Sequence, residues 1–234
     1  EMLQQRADAY LQAMSSGDIQ SLNVHPEARY TENGQMQSLG LGVWLRRPKS
    51  EFSRHAFDEP RCSSVTVSVV NDVLGRTILA LRLRYLENQL LEVEAQVVPR
   101  NTAYYDPDAL IPKGPDPWPQ PVPAAQRMSR EALLRLAERY FDSATDATLL
   151  PPHAPDCKRR QNGAPMAPSA SCGVPAGTER FEQRRFPVTD ELTGVVTAVV
   201  MYTGHVGMYL FKAHSDTVQN IEIIGGASTE SSGW

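Results

Sequence analysis

Pro26-Glu27-Ala28-Arg29-Tyr30-Thr31-Glu32-Asn33-Gly34 is echoed by Pro155-Asp156-Cys157-Lys158-Arg159-Arg160-Gln161-Asn162-Gly163 at an offset of about 130 residues. Both stretches close on Asn-Gly, a turn signal, so each reads as a strand running into a tight turn. Upstream of the first, Leu3, Ala7, Tyr10, Leu11 and Met14 form an apolar stripe at helical spacing that ends at Ser16-Gly17-Asp18. Upstream of the second, Leu133, Ala137, Tyr140, Phe141 and Ala144 repeat that stripe behind Ser129, a helix N-cap candidate. Downstream, Val70-Asn71-Asp72-Val73-Leu74-Gly75 pairs with Val188 to Gly194 as a turn between β-rich runs. Leu91-Glu92-Val93-Glu94 pairs with Gln219-Asn220-Ile221-Glu222, each behind a polar turn, Glu87-Asn88 and Ser215-Asp216. The order helix, strand, turn and sheet therefore occurs twice, and the chain reads as two copies of one α+β module.

Tyr104 to Arg127 separates the copies and carries seven prolines, at 107, 112, 115, 117, 119, 121 and 123. Proline removes a donor and fixes φ, which excludes a central strand or a helix interior and leaves a stiff, extended connection. The expected organisation is a first module over 1–103, a linker over 104–127 and a second module over 128–234. Ala164 to Gly177, rich in Pro, Ala, Ser and Gly, is expected to be a long surface loop or lid, and Trp234 to dock on the body.

A length of 234 residues allows a sizeable core, and a net charge of −4 gives no basic footprint for nucleic acid or anionic membrane. No apolar run reaches the roughly 18 residues of a membrane span. The start at Glu1 shows neither a charged n-region nor an apolar h-region, and because it is not Met a processed N-terminus stays open. The expected partner is a small hydrophobic aromatic substrate. Whether the chain also forms a homo-oligomer through exposed sheet faces is left open. The three cysteines, Cys62, Cys157 and Cys172, make neither a scaffold nor a zinc spacing. Reduced thiols in a cytoplasmic protein are the default expectation, with a Cys157–Cys172 bridge as the alternative. The five histidines are scattered, and no nucleotide-binding glycine loop or serine-hydrolase elbow is present. No cofactor and no metal is expected.

The stretch Tyr10-Leu-Gln-Ala-Met-Ser-Ser-Gly17-Asp18, followed by Glu27-Ala28-Arg29-Tyr30-Thr31-Glu32, resembles the NTF2-like superfamily. That superfamily includes ketosteroid isomerases, SnoaL-like polyketide cyclases and scytalone dehydratase. The resemblance implies a curved antiparallel sheet wrapped around an N-terminal helix to form a cone, here twice in tandem. It places Tyr10 where the isomerases keep their oxyanion-stabilising tyrosine and Glu32 where they keep their general base. The isomerases' second oxyanion donor falls near Leu81 and does not carry over. The tandem, Tyr-Thr-Glu-Asn-Gly and the closing Gly-Trp look like a narrower group of double NTF2-like proteins that includes the sphingomonad-type diarylpropane lyase. That resemblance implies a cofactor-independent lyase that takes formaldehyde from a lignin-derived β-1 dimer diol and leaves a stilbene. A dehydratase, isomerase or cyclase on another hydrophobic hydroxylated compound, or a non-catalytic binding module, are the alternatives.

Along the first strand Tyr30 and Glu32 share one face, away from Arg29, Thr31 and Asn33. A carboxylate among apolar walls is suited to proton transfer near neutrality. The second copy places Arg159 opposite Tyr30 and Gln161 opposite Glu32, so acid–base chemistry of this kind is expected in the first copy alone. Arg54 and His55 bring a cation and an imidazole to the first sheet, and alternation sends them to opposite faces, so at most one points inward. Trp44, after Gly40-Leu41-Gly42, is a candidate to stack on an aromatic ligand, and Arg159 is a candidate partner for its anion or phenolate.

Overall fold

The computed structural model describes residues 2–166, 172–174 and 181–228, with backbone alone for 226–228. The first apolar stripe folds as α1, Met2–Ser16, burying Leu3, Ala7, Tyr10, Leu11, Ala13 and Met14. Gly17 takes a left-handed φ of 74° and ends the helix. Six strands follow: β1 Val24–Glu32, β2 Gln35–Gln37, β3 Lys49–Asp58, β4 Ser63–Asp72, β5 Gly75–Leu86 and β6 Gln89–Val98. Their order is β2-β1-β6-β5-β4-β3. Every junction is antiparallel except β1–β6, which is parallel.

After a helical turn, α2 (Pro107–Leu110), the plan repeats with α3, Arg130–Asp142, capped by Ser129 Oγ accepting from the Ala132 amide. Strands β7 His153–Gln161, β8 Ala164–Pro165, β9 Glu182–Asp190, β10 Val195–Tyr202, β11 His205–His214 and β12 Thr217–Ser228 take the order β8-β7-β12-β11-β10-β9. Here β7–β12 is the parallel junction. The chain is a tandem of two NTF2-like modules, each a curved sheet around its own helix.

The turn pairing expected downstream is corrected by this order. Asp72 to Gly75 joins β4 to β5, whereas Asp190 to Gly194 lies between β9 and β10. The structural counterpart of the latter is the stretch from Asp58 to Ser63, between β3 and β4. Turns that run from an Asp to a Gly look alike in any hairpin, so turn chemistry does not number the strands.

Strand alternation builds three cores rather than two. On β5, Leu79, Leu81 and Leu83 face α1, while Ile78 and Ala80 face the other module. On β11, Tyr209, Phe211 and Ala213 face α3, while Val206, Met208 and Leu210 face the first module. The two sheets therefore pack back to back, and the layers run helix, sheet, sheet, helix.

The contact between modules is reciprocal, as between the subunits of a twofold dimer. Asp58 accepts from the Thr189 amide and Asp190 from the Phe57 amide, each at 3.0 Å. Glu94 pairs with Arg185, and Glu222 with Arg54. Within the modules, Asn33 clamps both backbone groups of Val97, as Asn162 clamps those of Gly225.

The proline-rich segment is a strap rather than a free connection. Leu110, Trp118 and Val122 are buried along it. Buried Lys212 donates from Nζ to the carbonyls of Trp118, Gln120 and Thr193. Burial lowers the Lys212 ammonium to about 8, yet three acceptors hold it in place.

Cys157 and Cys172 are joined by a disulfide, with Cα atoms 5.8 Å apart, which corrects the expectation of reduced thiols. Cys62 is free and exposed. A closed loop of about 15 residues contributes roughly 3 kcal/mol by chain entropy. Replacing both cysteines by serine is therefore expected to lower the melting temperature by about 6–12 °C. Calorimetry with and without reductant checks this, and a reductant-insensitive wild type would contradict it. Of the stretch Ala164 to Gly177, residues 164–166 and 172–174 are described; the docking of Trp234 lies outside the described residues. Among the described residues no helix is long and apolar enough to cross a membrane.

Candidate functional site

The first cone brings together four of the residues singled out from sequence. The apolar stripe of α1 delivers Tyr10, β1 delivers Tyr30 and Glu32, and the 3-10 turn Gly42–Arg46 delivers Trp44. Tyr10, Tyr30 and Trp44 are each at most 2% exposed, whereas Glu32 is half-buried.

Glu32 is held by one oxygen. Oε2 accepts from the Tyr30 hydroxyl at 2.6 Å and from the Val43 amide at 2.8 Å. Oε1 accepts no hydrogen bond among the described residues and is not sealed from solvent. The carboxylate is thus oriented on one side and available on the other. Beside it, the Trp44 indole N–H donates to the Tyr10 hydroxyl at 2.8 Å, and the rings meet edge-on with centroids 5.2 Å apart. Burial pushes both tyrosine hydroxyls well above their ordinary range, and the Glu32 charge adds to this. Both phenols therefore stay protonated: Tyr30 donates to Glu32, and Tyr10 accepts from Trp44 and keeps its own proton. Arg46, paired with Asp72 at 3.3 Å, supplies a nearby positive charge that partly offsets the rise at Tyr30.

Sequence reasoning missed the parts that fix the carboxylate. The Val43 amide is a backbone group and carries no side-chain signal. Gly42 carried one, as the second glycine of Gly40-Leu41-Gly42. It sits at φ 63°, and a Cβ there would lie 2.1 Å from Glu32 Oε2. Gly42→Ala is expected to displace the carboxylate from both donors. The left-handed backbone alone makes the substitution cost about 1–2 kcal/mol. Thermal melting checks the stability, and a structure of the variant checks the position of Glu32. An unmoved Glu32 would contradict the packing argument.

The other three residues lie elsewhere. His55 is on the α1 side of β3, with Nδ1 2.8 Å from Thr66 Oγ1 and Nε2 3.4 Å from Asp8 on the helix, and its ring stacks on Phe57. Burial lowers its pKa, so the imidazole is neutral at neutral pH. Arg54 takes the opposite face, as alternation requires, and that face is the contact between modules rather than solvent. It pairs with Glu222 at 3.4 Å and lies over the Trp118 ring, which corrects its assignment as an oxygen-holding group of the first cone. Arg159 is buried in the second cone, donating to the Gly173 carbonyl and lying against the Tyr140 hydroxyl. It serves that module's own core, which corrects its assignment as a ligand contact for the first. Among the described residues no cluster of His, Cys, Asp and Glu is arranged to hold a metal.

With fold and site defined, the molecule is a tandem of two modules of NTF2-like fold, with a carboxylate and two phenols in its first cone. Residues 126–225, less than half of the chain, match a family model described as a domain of unknown function, DUF8021. A search of curated proteins finds no match. Among solved structures, one similar chain is an NTF2-like protein of unknown function from Cytophaga hutchinsonii ATCC 33406. It is 7% identical, with a TM-score of 0.34, covering 42% of this chain and 91% of its own. Two others are DUF4783 family proteins. The one from Bacteroides ovatus ATCC 8483 is 13% identical over 37% of this chain and 90% of its own, with a TM-score of 0.26. The one from Bacteroides fragilis YCH46 is 14% identical over 37% and 93%, with a TM-score of 0.25. The fold assignment rests on the element order and sheet topology described above.

Proposed function

We propose that the first module is a cofactor-independent acid–base catalyst in which Glu32 moves the proton. The observation that carries this reading is the division of labour in its carboxylate: Oε2 is fixed by Tyr30 and Val43, and Oε1 is left available. A general base needs such a fixed position and an open lone pair within reach of the substrate proton. The second module has Gln161 at the equivalent position and offers no such group.

The sequence resemblance supports a substrate class, a phenolic diarylpropane diol, and a lyase reaction. A para-phenol expels the benzylic hydroxyl as water and becomes a quinone methide. Glu32 then takes the proton of the primary hydroxyl, its C–O bond becomes C=O, and the carbon–carbon bond breaks. Formaldehyde leaves, the electron pair returns the quinone methide to a phenolate conjugated with the new stilbene double bond, and the proton held by Glu32 goes back to make the phenol and restore the base. The substrate brings its own electron sink, so the protein needs to position and deprotonate it.

One observation favours a second reading, a small-ligand binding module. The Tyr30 hydroxyl already donates to Glu32 and the Tyr10 hydroxyl already accepts from Trp44, so the Tyr30 proton is spent on the protein's own carboxylate rather than on a reacting oxygen. Incubation with a panel of phenolic lignin dimers, followed by mass spectrometry and a formaldehyde assay, separates the readings. Equal amounts of formaldehyde and stilbene support the lyase. Loss of water alone, or a mass-neutral product, supports a dehydratase or an isomerase, and binding without conversion supports the module. The Cys157–Cys172 bridge favours an oxidising compartment over the cytoplasm as the place of work.

A further inference from the structure

The two ion pairs that join the modules occupy equivalent places and are unequally satisfied. Arg185 grips Glu94 with two nitrogens on two oxygens. Among the described residues, Arg54 reaches Glu222 by a single contact of 3.4 Å, its Nε has no hydrogen-bond partner, and its Nη1 makes no hydrogen bond. The guanidinium lies over Trp118, its carbon 5.0 Å from the ring centroid, at the wall of a cleft of about 280 Å³ between the strap and the second sheet.

Three more cations line that cleft, Lys113 on the strap and Lys158 and Arg160 on β7, against two carboxylates, Asp116 and Glu222. Neither lysine pairs with a carboxylate among the described residues, and both are exposed. Arg160 is fixed by donating to the Ala109 carbonyl, and Glu222 is spoken for by Arg54 and the Gly163 amide. Because Lys212 ties the strap to the second module, this wall is in place before any ligand arrives. An excess of positive charge around a preformed polar cleft, with one under-coordinated buried guanidinium at its wall, is the complement of a small anion.

We infer that the cleft between the strap and β7 binds a small doubly charged oxyanion, a dicarboxylate or a phosphate, with Arg54 Nη1 as the inner donor and Lys113 and Lys158 closing over it. The site is separate from Glu32 and does not rest on the catalytic reading.

The test is isothermal titration of the full chain with succinate, citrate and inorganic phosphate at constant ionic strength, with succinamide as the uncharged control. Saturable binding of at least one anion and none of succinamide is expected, and the anion preferred tells carboxylate from phosphate. The Lys113→Ala, Lys158→Ala double variant is expected to bind about tenfold more weakly with an unchanged melting temperature, because both side chains are exposed and unpaired. No saturable binding by any anion, or an affinity that the double variant leaves unchanged, would overturn the proposal.

Discussion

Asp58→Ala is expected to destabilise the protein by about 3–5 kcal/mol, because it strands two amides and a part-buried guanidinium at roughly 1–3 kcal/mol for each group. Asp58 has no side-chain exposure and receives Arg130 through both guanidinium nitrogens, at 2.5 and 2.9 Å. It also receives the Thr189 amide at 3.0 Å, so it joins β3 of the first module to β9 and the start of α3 in the second. Alanine leaves the Arg61 and Thr189 amides without their acceptor and the part-buried Arg130 guanidinium with the Thr189 carbonyl alone. Its reciprocal, Asp190, receives two amides, from Phe57 and Thr193. Asp190→Ala is therefore expected to cost less, because both aspartates accept two amides and Asp58 alone also holds a guanidinium. Equilibrium denaturation of both variants checks the ranking, and a double-mutant cycle with Arg130→Met is expected to return a coupling of about 1–3 kcal/mol. Equal losses for the two aspartates would show that the ion pair adds nothing to the reciprocal amide contacts.

The repeated stretch from Pro26 to Gly34 made the tandem legible, because local signals fix it: a helical stripe, a strand and an Asn-Gly turn. The two-residue spacing of Tyr30 and Glu32 placed them on one face, and the hydrogen bond between them follows from that spacing. What was not legible depends on pairing between distant segments. The parallel β1–β6 junction joins residues about 60 apart, and no local pattern announces it. Alternation showed that Arg54 and His55 part company, but a strand buried on both faces gives no hint of which face meets the helix. The reciprocal ion pairs, and hence the true surroundings of Arg54, exist because the two sheets pack back to back. Cys157 and Cys172 were paired by the fold of the second module, whereas their number alone favoured reduced thiols.

Glu32→Gln is the second large effect. Glutamine keeps an acceptor oxygen for the Tyr30 hydroxyl and the Val43 amide, so the turn Gly42–Arg46 and its Trp44 stay in place. The amide nitrogen then stands where Oε1 was, and it cannot take a proton from a hydroxyl. Loss of a positioned general base typically lowers turnover by about 10²–10⁴-fold. Binding, which depends on the walls of the cone, is expected to stay within severalfold of the wild type. Tyr30→Phe is the milder counterpart, since it removes one of the two donors on Oε2 and leaves the base.

The most direct measurement is single-turnover kinetics of wild type and Glu32→Gln on the dimer that responds in the panel, with formaldehyde and stilbene quantified by mass spectrometry. The account predicts comparable substrate affinity and a rate of product formation about 10²–10⁴-fold lower in the variant. Equal rates in the two proteins would contradict it.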